Sequence, residues 1–162
     1  MDEVLRETLA RAAEQTFEGL AFMFALSPDE PPSPEPPSAA ASVAFGGPFS
    51  GTLIVSVADV MLPQLAANML GLDDGAEPSP DKQHDALKEL ANVVCGHFLP
   101  LLAGPTAVFD VEAPRFLADD PVPASCRGRA PSAVTRLSLD AGQAVLALFI
   151  DDLTQPSGDP PG

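Results

Sequence analysis

Between Asp85 and Gly96 the chain sets out a carboxylate at Asp85, a second at Glu89, an amide at Asn92 and a bare backbone at Gly96. At about 100° per residue, with Asp85 as zero, Glu89, Asn92 and Gly96 fall near roughly 40°, 340° and 20°. Leu87, Leu90, Ala91, Val94 and Phe98 fall between about 140° and 240° on the same wheel. One face of a helix is therefore apolar, and the other carries the polar set. That polar face fits the solvated side of any amphipathic helix, but two residues are poor choices for solubility alone. Asn is a mediocre helix former, and Gly in a helix interior costs about 1 kcal/mol relative to Ala. A glycine one turn beyond Asn92 leaves a flat spot that another protein can approach closely.

Other residues with chemical potential give weaker patterns. His84 and His97 are 13 positions apart and sit in no His-rich cluster, so they read as surface or packing residues rather than metal ligands. No Cys–His–acid spacing supports Cys95 as a nucleophile, and it reads as a partly buried thiol. Cys126 stands beside Arg127 and Arg129, with nothing else there that points to redox work. Gly46-Gly47 lacks the Lys and Ser/Thr of a phosphate-binding loop and reads as a turn. No metal site is expected.

The helix that holds Asp85, Glu89 and Asn92 is well marked. Ser79 suits the N-cap, Pro80 the first helical position, and Pro100 the end, which gives a helix over 80–99. A second amphipathic helix is expected over 3–26, where Leu5, Leu9, Ala12, Ala13, Phe17, Leu20 and Phe24 recur at helical spacing. A third runs from Asp59 to Leu70, with Pro63 near its start and Gly71 at its end. Strands are expected at 42–45, 52–57, 107–112, 133–139 and 143–150, the last two joined by Asp140-Ala141-Gly142. Each Gly-marked hairpin follows a long amphipathic helix, a faint internal echo. The pattern gives one domain over 1–150, with a Pro-rich loop at 27–40, a mobile loop at 118–132 and a disordered tail at 151–162.

Composition narrows the function classes. Lys plus Arg number 8 against 23 Asp plus Glu, a net charge of −15. Nucleic-acid binding draws on basic residues that displace counterions, so direct binding to DNA or RNA is not expected. An anionic membrane surface is disfavoured on the same ground. A partner with a basic patch is steered inward by such a field. The start Met1-Asp2-Glu3-Val4 shows no signal peptide, and the apolar run Leu20–Leu26 is shorter than the ~20 residues of a membrane span. A cytoplasmic location is expected.

With these residues in view, Glu89-Leu90-Ala91-Asn92-Val93-Val94-Cys95-Gly96 resembles the Glu-x-x-Asn helix of the CheC/CheX/FliY family of chemotaxis phosphatases. Asp85 matches the acidic or Ser position that opens the family signature, and Pro114 stands close to where it ends. One active helix with a Gly just after it is most similar to the CheX branch. The resemblance implies an α+β fold, with long amphipathic helices packed on an antiparallel sheet. It implies a phosphoaspartate phosphatase acting on a phosphorylated, CheY-like receiver domain of a response regulator in two-component signalling. In that scheme Asn92 orients the attacking water, because an amide both donates and accepts without ionising. Glu89 pairs with a receiver lysine and holds the helix in register. Asp85, Lys88 and Gly96 are expected at the partner contact. No cofactor of its own is implied, and Mg2+ is expected from the receiver.

The chain departs from the CheC pattern at Glu14-Gln15-Thr16-Phe17, where Phe stands in place of the second site's amide. A single site per chain is expected, and with it a homodimer through edge-strand pairing. A non-catalytic module of the same fold, binding a receiver or a signalling scaffold, stays open as the alternative.

Overall fold

The computed structural model of the chain describes residues 2–71, 77–117, 123 and 126–151. Two long helices, α1 (Asp2–Ala21) and α3 (Pro80–Ala103), lie on one face of a sheet, and the short α2 (Leu62–Leu70) packs against both. The strands are β1 (Ala39–Gly46), β2 (Gly51–Val57), β3 (Asp110–Val111), β4 (Arg115–Leu117), β5 (Ala133–Leu139) and β6 (Gly142–Ile150). Their order is β3-β1-β2-β6-β5, with β4 also paired to β1, and every pairing is antiparallel. This is the α+β architecture expected from the sequence. The internal echo takes a physical form: β2 and β6, one from each hairpin, pair at the centre of the sheet, while α1 packs over β5 and α3 over β1.

Period-two burial on the sheet and helical spacing on α1 and α3 meet in one core. Along β5, Ala133, Thr135, Leu137 and Leu139 are buried while Arg136 and Ser138 are exposed. From α1 come Leu5, Leu9, Ala12, Ala13 and Phe17; from α3 come Leu87, Leu90, Ala91, Val94 and Phe98. By length and apolar content alone α3 could cross a membrane. Here Leu87, Leu90, Val94 and Phe98 among its apolar side chains lie in the core.

α3 starts as its sequence dictates. The Ser79 hydroxyl accepts from the Lys82 amide at 3.3 Å, and Pro80 takes the first turn, where its missing N–H costs nothing. Replacing Ser79 by Ala leaves that amide to water and is expected to cost about 1 kcal/mol in denaturant unfolding.

Several boundaries differ from expectation. α1 stops at Ala21 rather than 26. Phe22 turns to φ 55°, the Met23 amide returns to the Phe17 carbonyl at 3.0 Å, and the chain then runs extended. Ala25 bridges Leu139, and the Leu26 amide donates to the Ser138 carbonyl at 2.8 Å. The end of β5 thus supplies partners that a continued helix would not need. Of the strand expected over 107–112 only Asp110–Val111 forms, as β3, and β4 at Arg115–Leu117 is a further short strand that the sequence pattern does not mark; both pair with β1. Pro114, which lacks an N–H, lies between them. α3 runs past Pro100 to Ala103. The Pro-rich segment 27–38 carries no helix or strand. The loop expected over 118–132 lies partly, and the tail expected over 151–162 almost wholly, outside the described residues.

Candidate functional site

The apolar face of α3 fixes its rotation, so the opposite ridge must face outward. Asp85, Glu89 and Gly96 are exposed and Asn92 is half-buried, whereas Leu87, Leu90, Ala91, Val94 and Phe98 are completely buried. Lys88 stands on the flank of the ridge, its Nζ 3.2 Å from an Asp85 carboxylate oxygen. Such an exposed i,i+3 pair adds little stability and breaks easily. Among the described residues the side chains of Glu89 and Asn92 make no hydrogen bond or ion pair. A carboxylate and an amide, one turn apart, are presented without a partner from their own chain. The five residues singled out from the sequence therefore share one surface.

Gly96 is not needed by the fold. A Cβ built there meets nothing within 4 Å, in contrast to Gly51, where one would lie 2.5 Å from the Phe149 carbonyl oxygen and 2.8 Å from the Phe45 ring. Pro100 acts at the same place. It has no N–H to return to residue 96, so the Gly96 carbonyl loses its intrahelical donor. Because Gly96 is exposed, water or a partner can take that acceptor. This is why the helix tolerates Pro100 for one further turn.

The remaining candidates resolve into packing. The Thr16 hydroxyl donates to the Ala12 carbonyl at 2.8 Å and accepts from His97 Nδ1 at 2.9 Å, which ties α1 to α3. No spacing in the sequence signals that pair, because the two residues are 81 positions apart. His84 stacks on Phe116, with ring centroids 3.7 Å apart. Burial raises the Cys95 thiol to about 12, so it stays protonated and cannot serve as a thiolate nucleophile at ordinary pH. Cys126 is buried with Ala40, Ile54 and Phe149 on the far face of the sheet. Phe17 is fully buried while Glu14 is exposed, so the position of a second amide is filled by core. Among the described residues no three His, Cys, Asp or Glu side chains gather as a ligand set.

The family model described as chemotaxis phosphatase CheX matches residues 39–138. The chain belongs to the CheX family. The matched stretch takes in α3 with its whole ridge and leaves α1 outside. Solved CheX structures share the fold. CheX from Desulfovibrio desulfuricans is 16% identical, with a TM-score of 0.64 over 91% of this chain and 99% of that one. CheX from Vibrio vulnificus is 14% identical, with a TM-score of 0.65 over 91% and 96%. The CheX–CheY–BeF3–Mg2+ complex from Borrelia burgdorferi gives 14%, a TM-score of 0.60, and 90% and 97%. Compared by sequence with the curated proteins, the chain matches none of them.

Proposed function

We propose that this CheX-family chain docks on the receiver domain of a response regulator through the α3 ridge and promotes hydrolysis of the receiver's phosphoaspartate. The observation that carries the reading is the pairing of an exposed Glu89 and a half-buried Asn92, one turn apart and without hydrogen-bond or ion-pair partners among the described residues, beside a glycine that the fold does not require. The likeness to a CheX bound to CheY supports the same partner class.

Hydrolysis of an acyl phosphate asks little covalent work of the protein, since phosphoryl transfer is governed by positioning and electrostatics. Asn92 supplies positioning. Its carbonyl oxygen accepts a hydrogen bond from the attacking water and its NH2 can donate to the same water, so the water's orientation is fixed without any change of charge. Glu89 supplies register. Its carboxylate forms a charge-assisted contact with a lysine beside the phosphoryl group and holds Asn92 at a fixed height over phosphorus. Lys88 leaves Asp85 or keeps it, according to which charge the receiver offers. Mg2+, which comes with the receiver's own site, offsets phosphoryl charge. The test is a panel of phosphorylated receiver domains from the same genome. At least one should lose its phosphoryl group faster with this chain present. Tight binding with unchanged lifetimes would instead make the chain a binding module.

Gly96 separates fold from docking. Gly96→Ala is expected to stabilise α3 by up to about 1 kcal/mol, since the methyl group meets no neighbour and helix propensity rises. The same methyl group stands where the receiver closes on the ridge. A raised unfolding midpoint together with a weaker complex is the expected pair of results, read by denaturant titration and by receiver binding.

A further inference from the structure

We propose that a second contact for the receiver lies beside the ridge, in a cavity of about 460 Å³ that takes an arginine or lysine side chain of the partner. The inference rests on the receiver-docking reading and adds a specificity pocket to it. The cavity is bounded by Asp59, Leu62, Gln83, His84, Phe116 and Leu117, drawn from the turn before α2, from the first turns of α3 and from β4.

Its chemistry is one-sided. Asp59 is exposed, and its carboxylate makes no hydrogen bond or ion pair among the described residues; its backbone is engaged instead, the amide donating to Ser38 Oγ at 3.1 Å and the carbonyl accepting from the Leu62 amide. Gln83 donates one amide N–H to the Pro78 carbonyl at 2.9 Å, which anchors the nitrogen end, and its side-chain carbonyl accepts from no described residue. The Asp59 carboxylate and the Gln83 side-chain carbonyl are both acceptors. A ligand group made only of donors meets them best, and among side chains that describes the lysine ammonium and the arginine guanidinium. The other walls, Leu62, Phe116 and Leu117, are apolar and suit the methylene stem that such a side chain carries below its charge. His84, stacked on Phe116, completes that wall. The net charge of −15 favours a basic occupant over an acidic one at the approach as well.

The position fits one docking event. His84 directly precedes Asp85, and eight residues of α-helix place it about 12 Å along the axis from Asn92. A docking footprint of about 800 Å² per partner is roughly 30 Å across, so a receiver seated on Asn92 reaches this cavity. A basic side chain there gives register to the complex at a point away from the chemistry, and it discriminates receivers that carry the charge from those that do not.

The experiment measures binding and hydrolysis together, with a receiver that the wild-type chain recognises. Asp59→Lys should raise Kd about tenfold or more, and the isosteric Asp59→Asn by a smaller factor, with little change in the hydrolysis rate at saturation. Glu112→Lys makes the same charge change at a separate surface cleft lined by Ser42, Ala44 and Arg115, outside the Asp59 cavity, and should leave Kd unchanged. One receiver Lys→Glu or Arg→Glu variant should regain affinity for Asp59→Lys, which identifies the occupant. Equal affinity of wild type and Asp59→Lys overturns the cavity assignment and leaves the phosphatase reading standing. Equal weakening by Glu112→Lys also overturns it, because the effect is then one of net charge. Binding that depends on Asp59 without any hydrolysis upholds the cavity and sinks the phosphatase reading. A wild-type chain that binds no receiver overturns both.

Discussion

Asn92→Ala is expected to remove about a hundredfold or more of the acceleration of phosphoaspartate hydrolysis while leaving receiver affinity near that of wild type. The asymmetry follows from where the amide acts. The Asn92 side chain makes no hydrogen bond or ion pair among the described residues that its loss would break, and it sits on the outer side of a helix held by Leu90, Ala91 and Val94 beneath it. Ala is the better helix former, so the fold does not suffer. What disappears is a donor and an acceptor at fixed positions around one water. Water without that guidance still reaches phosphorus, but seldom in line. The loss therefore falls on the chemical step and not on association, which single-turnover decay of a labelled receiver at saturating phosphatase would show. A large rise in Kd with a normal rate at saturation would place Asn92 in docking alone.

Glu89→Ala is expected to act on both quantities. Its carboxylate makes no hydrogen bond or ion pair among the described residues, and in the proposed complex it would be desolvated against a receiver cation. Removing one partner of such a pair leaves the other charge buried and unmatched, which is expected to weaken association about thirtyfold or more. Because the same contact sets the height of Asn92, the rate at saturation falls as well. Glu89→Gln keeps the shape and one acceptor and should fall between wild type and Ala. Raised salt should narrow the difference in affinity between wild type and Glu89→Ala, since the screened part of the interaction is then absent from both.

Much of this molecule was legible in local patterns. Leu87, Leu90, Ala91, Val94 and Phe98 give the rotation of α3, and rotation alone puts Glu89, Asn92 and Gly96 outside. Ser79 and Pro80 mark the start of α3, Gly71 in its left-handed conformation marks the end of α2, and Asp140-Ala141 closes the β5–β6 hairpin. These are signals carried within a few residues of the feature they specify.

What local pattern could not give depends on distant partners. Residues 22–26 are apolar at spacings that suit a helix, yet they lie along the end of β5, and nothing nearby in sequence announces Leu139 as the neighbour of Ala25. Pro100 reads as a stop, but the carbonyl that it leaves free belongs to an exposed glycine, so the penalty there is small and α3 continues. Val108 and Phe109 look like a strand. Phe109 instead turns its ring onto Phe45 and Phe49, and only Asp110 and Val111 reach the sheet. The cavity around Asp59, Gln83 and Phe116 joins three separate elements and has no periodic signature at all.

The most direct measurement follows the acyl phosphate itself. A cognate receiver is phosphorylated from a small phosphodonor, freed of excess donor, and mixed with increasing amounts of this chain in Mg2+. The decay rate is expected to rise with concentration to a plateau well above the receiver's own rate, and Asn92→Ala is expected to bind over the same range while leaving the decay near the intrinsic rate. A decay rate that stays at the intrinsic value while wild-type protein is fully bound would contradict the phosphatase reading.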